Sequence, residues 1–480
     1  MFKTSPDRIV LLCRDGGLRY GGAMQAVAFL EAPWREPAQV LAALGEEPWA
    51  VGFMTGGADG GWSYIAADPA AHLMLAPDDP RDPLDALANL GGPSFETAPE
   101  GPPFQGGIAG LMSYDLGGRL QPLTLPRHEG WPDLAFARYD ALLAFDHAHS
   151  RIVAVGRGVD AAAARSRAET ALAWLTLALP APHPCNATLE AEPPGIYEAA
   201  VANVVRRIAD GEIFQANIAR RWRGRLAADA RPLDLMLRLA DSSPAPFATY
   251  LRLHDRALVS NSPERFLSVR RRGDGLLAET QPIKGTARRG ATPEEDARLA
   301  ATLAASPKDR AENLMIVDLM RNDLSRVCGP GDVAVPELFR LATFANVHHL
   351  ISTVTGRLRP SASALDLLRA AFPPGSITGA PKIQAMKVIA QREGARGPFF
   401  GAMAWIGVDG AMDSNVLIRT AALVRDAGGW SVEARAGAGI VAESDPQAER
   451  RETEAKIASL LEALGSTGAG RGPDERLDRG

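Results

Sequence analysis

Apolar and polar positions along the chain follow two different periods. Runs such as GGIAGLMSYDL (106–116), ARYDALLAFDH (137–147) and RIVAVGRG (151–158) alternate at the two-residue period of a strand, and turn residues bound them. The segment 161–178, AAAARSRAETALAWLTLA, changes to the helical period. A proline-rich stretch, LPAPHPCNATLEAEPPG (179–195), follows and reads as a linker. Beyond it, 196–212 has helical spacing and stops at Gly211, and 247–280 reads as a strand meander. The stretch 308–327 predicts a helix, 347–358 a strand, 361–372 and 380–394 helices, and 399–441 strands again. A final helix over about 446–464 precedes the tail GSTGAGRGPDERLDRG, whose composition predicts disorder. These elements predict an α+β protein with much antiparallel or mixed sheet. The regions are 1–182, a linker at 183–194, a second region at 195–464 and a tail at 465–480.

Helical geometry singles out the last helix. At 100° per residue, Ile457, Leu460, Leu461 and Leu464 form one buried stripe. With Glu449 at 0°, Glu452 falls at about 300°, Lys456 at about 340° and Leu460 at about 20°. The charged residues therefore overlap the edge of the stripe instead of lying opposite it. An ordinary salt-bridged face is one reading. An inward carboxylate pair suited to a hard cation such as Mg²⁺ is the other. Just upstream, Gly437-Ala-Gly439-Ile-Val-Ala442 loosely fits a dinucleotide fingerprint. No second strand with an acidic residue follows, so a Rossmann unit is excluded. The glycines read instead as backbone amides bared for a carboxylate, or as a plain strand-end turn.

Composition narrows the function classes. A net charge of -5 over 480 residues argues against a nucleic-acid-binding surface. The three cysteines, Cys13, Cys185 and Cys328, have no metal-ligand spacing and suit a reducing compartment. No run reaches the roughly 20 apolar residues that span a bilayer, and the N-terminal apolar run is too short for a signal peptide. The expectation is a cytoplasmic protein with no membrane contact. Nucleophile-elbow, P-loop and zinc signatures are absent. On spacing alone, Glu264 and Glu312 could be solvated acids and His349 a satisfied core histidine.

SPERF (262–266), PIKGT (282–286), DRAENLMIVDLMRNDLSRV (309–327), VHHLIST (347–353), FPPGSITGAPKIQAM (372–386), MDSNVLIRT (412–420), AGAGIVAES (436–444) and ERRETEAK (449–456) occur in this order. Together they resemble the chorismate-utilising enzymes, and the region before the linker resembles the amino-transferring members. The resemblance implies a two-sheet β-sandwich with helices packed outside. Two positions discriminate within the family. Water-adding members carry a lysine base where this chain has Gln215, and anthranilate-forming members read Pro-Ile-Ala-Gly-Thr where this chain has Lys284. A lysine there is similar to the members that form 4-amino-4-deoxychorismate on the route to p-aminobenzoate and folate.

That resemblance implies roles residue by residue. Lys284 would attack C2 of chorismate, dividing one difficult displacement into two easier ones. Glu264 would protonate the departing C4 hydroxyl. Glu312 and Glu452, helped by Glu449, would hold Mg²⁺. Arg419, Lys456, Gly437 and Gly439 would bind substrate carboxylates, and Gln215, Thr286, Ser376, Trp405 and His349 would line the pocket, His349 within the catalytic group. Trp405 stands where relatives usually have tyrosine, and Gln281 replaces a usual arginine. The chain has no glutaminase residues, so a separate glutamine amidotransferase subunit would supply ammonia. A tryptophan in the N-terminal region is a further implied ligand. The rival readings are anthranilate formation and, in another class, a non-catalytic protein that binds an aryl acid.

Overall fold

The computed structural model describes residues 7–12, 25–55, 61–181, 183, 185–273, 275–344 and 347–465. The predicted disordered tail thus lies almost wholly outside the described residues. Two large sheets dominate. Among the described residues the first has 13 strands, in the order Asp7–Leu12, Gln25–Pro33, Arg151–Gly158, Ala141–Asp146, Trp62–Ala66, Val51–Met54, Phe247–Arg252, Arg256–Ser262, Thr420–Asp426, Gly429–Ile440, Gln215–Leu226 and Ala187–Ala191, with Gly379–Ala380 also pairing Gln215–Leu226. The second has 10: Ile283–Arg288, Val347–Leu358, Gly275–Thr280, Arg265–Arg272, Met412–Asn415, Ala402–Gly407, Gly107–Met112, Leu134–Tyr139 and Ala71–Leu75, with Cys328–Thr343 also pairing Val347–Leu358.

Side-chain alternation explains the layering. In Gln25–Pro33, Val27 and Phe29 enter the cluster that also holds Ile108, Phe136 and Met112 of the second sheet. Their neighbours Ala26, Ala28 and Leu30 point the other way, into a cluster with Ala164, Ala168, Leu235 and Ile457 from helices. Strands of the first sheet are therefore apolar on both faces, which is why AVAFL reads as a continuous run rather than an alternation.

The linker does not separate two folded units. Val51–Met54 pairs with Phe247–Arg252, and Gly107–Met112 with Ala402–Gly407, so both sheets run on across the sequence boundary. Strands of residues 1–182 form one end of each sheet and later strands the other. Ala187–Ala191 within the expected linker is itself a strand, paired with Gln215–Leu226.

The predicted meander 247–280 changes sheets midway. Arg256–Ser262 belongs to the first sheet and Arg265–Arg272 to the second, so Pro263 and Glu264 form the corner. A second corner, 416–419, joins Met412–Asn415 to Thr420–Asp426. The corners are tied together: Ser262 Oγ donates to the Val416 carbonyl at 2.6 Å, and Val416 N–H donates to the Glu264 carbonyl at 3.0 Å.

Candidate active site

Both corners open onto one cavity of about 510 Å³. Glu264 and Arg419 come from the corners, and Gly437 and Gly439 from a strand of the first sheet. Lys284 and Thr286 come from the edge strand of the second sheet, with His349 beside them. Glu312 is supplied by helix Pro307–Ser325, and Glu449, Glu452 and Lys456 by helix Pro446–Ala463. Ser376 lies in a short 3₁₀ turn at its wall.

Lys284 sits on strand Ile283–Arg288, where the register with Val347–Leu358 slips between Ile283 and Thr286. Gly285 at φ 87° provides the positive φ that this bulge uses. A methyl group there would also come within 2.9 Å of Leu303 and 3.0 Å of Asp309. Thr286 returns to register opposite His349, whose Nδ1 lies 2.9 Å from the Thr286 hydroxyl. Burial, aided by the Arg419 charge, lowers the His349 pKa to about 4, so the ring is neutral near pH 7.

Glu264 is buried. Desolvation raises its pKa to about 7, while hydrogen bonding from Ser376 and the charges of Lys284 and Lys456 pull it back. A carboxyl poised near neutrality suits a proton donor. Arg419 adopts φ 51°, an uncommon conformation for a non-glycine residue. Burial lowers its pKa, and Glu264 opposes that shift.

The carboxylates share the cavity with lysines. Lys284 and Lys308 each place Nζ 3.9 Å from a Glu312 oxygen, and Lys456 lies 2.6 Å from Glu452. Burial raises the Glu312 and Glu449 pKa values, and the charge of Glu452 adds to both shifts. For Glu452 burial also works upward, but Lys456, with Lys284 and Lys308, brings the net shift down. Among the described residues, no three His, Cys, Asp or Glu side chains stand close enough together to ligate one ion as placed. Glu449 is buried at the head of its helix and accepts from Ser444 at 2.7 Å. Glu452 and Lys456 lie at the cavity rim, with side chains 47% and 41% exposed. The helical azimuths thus located the cavity edge. Leu461 is only partly buried, and Thr453 occupies the stripe instead.

One alternative falls and two expectations are corrected. Gly437 and Gly439 are not a strand-end turn; they lie within strand Gly429–Ile440, opposite Ala219 and Asn217. Beyond Arg435 this strand loses its other neighbour, which frees one edge of its backbone. A side chain at Gly439 would meet Gln215 Nε2 at 2.5 Å and Lys284 Nζ at 3.0 Å. Gln215 is therefore packed behind Gly439 rather than lining the cavity wall, and its amide atoms have no protein hydrogen-bond partner. Trp405 does not reach this cavity. Strands Arg265–Arg272 and Met412–Asn415 stand between its strand and the line of Gly275–Thr280 that Lys284's strand continues, and it stacks on Phe104 with ring centroids 5.0 Å apart. It lines a second cavity of about 430 Å³ with Phe53, Trp62 and Arg270. Gln281 also faces that cavity, and Arg265 donates to it at 3.2 Å.

Sequence reasoning missed Lys308, Asn217 and Arg396. The i,i+4 spacing of Lys308 and Glu312 was a usable signal. No local signal marks Arg396, which is fully buried. It donates to the carbonyls of Asn217 at 2.7 Å and Ile377 at 3.0 Å, fixing two segments of the cavity wall.

A profile of the chorismate binding enzyme family matches residues 52–462. The chain belongs to this family of enzymes. Within it, the chain is 38% identical over 459 residues to aminodeoxychorismate synthase component 1 of Salmonella typhimurium (strain LT2), covering 90% of this chain and 97% of that one. It is also 38% identical over 425 residues to anthranilate synthase component 1 of Streptomyces coelicolor, covering 84% and 80%. The crystal structure of anthranilate synthase component I from Streptococcus pneumoniae superposes with a TM-score of 0.73 at 29% identity, covering 84% of this chain and 92% of that one. No helix among the described residues is long and apolar enough to cross a membrane.

Proposed function

We propose that this enzyme converts chorismate and ammonia to 4-amino-4-deoxychorismate, the activity carried in the names of its Salmonella and Klebsiella relatives. The observation that carries this reading is Lys284 on its bulged edge strand, sharing one cavity with the buried acid Glu264. The Lys284 amine bonds to C2 of the ring. The two ring double bonds shift, the C4–O bond breaks, and Glu264 gives its proton to the leaving hydroxyl. Ammonia then bonds to C4, the double bonds shift back, the C2–N bond to Lys284 breaks, and ammonia's surplus proton returns to Glu264. Neutral His349 and Thr286 line the ring, while Arg419, Lys456 and the open backbone edge at Gly437 and Gly439 take its carboxylates.

An all-carboxylate donor set at Glu312, Glu449 and Glu452 has the chemistry that suits a hard divalent ion, and its three side chains would have to draw together to ligate one. Their mutual repulsion, offset in the structure by Lys308 and Lys456, is what such an ion would relieve. Bound Mg²⁺ would supply positive charge for a substrate carboxylate. The relatives' designation as component 1 supports a partner component, here a glutaminase that delivers ammonia. The aromatic second cavity, with Trp62 and Phe53 from the N-terminal region, is a suitable seat for tryptophan. Purified protein, denatured and analysed by mass spectrometry, should release tryptophan or bind it saturably when it is added. Failure to see either would remove tryptophan as a ligand of this cavity.

The central test is product identity with chorismate, Mg²⁺ and either ammonium or glutamine. The chain alone should aminate with ammonium and be inert with glutamine. Lys284→Ala should lose most aminodeoxychorismate formation, and release of pyruvate would report a shift towards anthranilate. Full activity in Lys284→Ala would exclude the covalent route.

A further inference from the structure

A third cavity, of about 190 Å³, shares no residue with the Lys284 cavity. It lies in the N-terminal end of the sandwich. Its walls are the end of helix Pro83–Gly91, the start of strand Gly107–Met112, the corner at Asp140, the end of strand Arg151–Gly158 and helix Ala161–Ala173. Arg138, Arg157 and Arg167 face it with one carboxylate, Asp140.

The charges do not balance. Asp140 serves two guanidinium groups at once, 3.7 Å from Arg138 and 3.6 Å from Arg167. Arg157 is 2% exposed, yet among the described residues no carboxylate lies within ion-pair distance of it. It donates only to neutral oxygens, Gln25 Oε1 at 2.5 Å and the Gln105 carbonyl at 3.4 Å. Burial lowers its pKa to about 10, with Asp140 and Asp409 opposing. A buried cation without a counter-ion is costly, and a well-packed apolar residue would fill the same space more cheaply. Of the glycines that line it, Gly92 leaves room beside the guanidinium, whereas Gly107 packs against the Ile406 carbonyl of the next strand. At Gly92, φ is 72° and nothing lies within 4 Å of where a side chain would begin.

We propose that this cavity is a binding site for a small oxyanion, phosphate or carboxylate, seated on Arg157 and closed over by Arg138 and Arg167. Paired N–H groups of guanidinium forks match two oxygens of one anion better than a spherical halide. The bound anion would tie helix Ala161–Ala173 to both sheets, so its effect falls on the stability of the N-terminal end and leaves turnover alone.

Thermal unfolding tests this on the whole chain at fixed ionic strength in chloride, with inorganic phosphate and acetate titrated separately. A saturable rise in Tm is expected with at least one, and which of them acts identifies the anion class. The Arg138→Ala/Arg167→Ala double variant, whose replaced side chains are 38% and 43% exposed in the wild type, should fold, keep its turnover with ammonium, and weaken the half-saturating concentration at least tenfold. Arg157→Met should abolish the rise if it folds. Phosphate should not compete with chorismate in the turnover assay at concentrations that saturate the Tm effect. No saturable rise with either anion, an undiminished response in the double variant, or competition with chorismate would each overturn the proposal.

Discussion

Glu264 shows how much a single residue depends on its surroundings. Its carboxyl titrates near 7 because a sheet-changing corner buries it, not because of its neighbours in SPERF. The acid form is present below about 7 and is lost as pH rises through that value. With free ammonia held constant across the series, kcat should fall above about pH 7, and Glu264→Gln should remove that limb together with most activity. Stability gives an independent reading. A carboxyl with a raised folded-state pKa stabilises the fold below its unfolded pKa, and this is lost as pH rises from about 4.5 through 7. Glu264→Gln should therefore raise Tm by a few degrees at pH 8 and change it little at pH 4.5. An equal shift at both values would show that the acid is not held protonated.

At the scale of elements, helix Pro446–Ala463 was legible in the sequence almost to the residue. A 3.6-residue period needs no tertiary information, and Asp445 caps it by accepting from Ala448 N–H. Its carboxylates divide by position: Glu449 is buried against Ser444, and Glu452 is paired to Lys456 at the rim. Glu452→Gln should leave the circular dichroism and Tm nearly unchanged, since an exposed pair is worth at most about 1 kcal/mol. The same change should raise the Mg²⁺ concentration needed for half-maximal activity by orders of magnitude. A wild-type Mg²⁺ titration in this variant would remove Glu452 from the ion site. The edge strand Ile283–Arg288 was not legible. A bulge is set by pairing with Val347–Leu358, and the positive φ of Gly285 has no periodic signature.

At the scale of the molecule, the two sheets join the regions on either side of the proline-rich stretch. A fragment beginning at residue 195 would expose Phe247–Arg252 and Ala402–Gly407 as new sheet edges, and the latter strand is buried along its whole length. Unpaired apolar edges aggregate. Expressed alone, the fragment should be insoluble or should lack the cooperative unfolding transition of the full chain. A soluble, cooperatively folding, active fragment would show that the sequence boundary is also a folding boundary.

The sequence by itself determined the α+β class, most helices and strands, and most of the charged and polar residues that meet in the Lys284 cavity. Periodicity is local, and the ordered motifs carry the residue types that the chemistry needs. It could not determine where each strand sits in a sheet, because two-residue alternation is the same on every strand. Tertiary packing decided that Trp405 belongs to the second cavity, that Gly437 clears space for Asn217 and Gly439 for Gln215 and Lys284, that Arg396 braces the cavity wall and that Lys308 reaches Glu312 inside it. Burial of Glu264, and with it the proton it can hold at neutral pH, exists only once both corners close against each other.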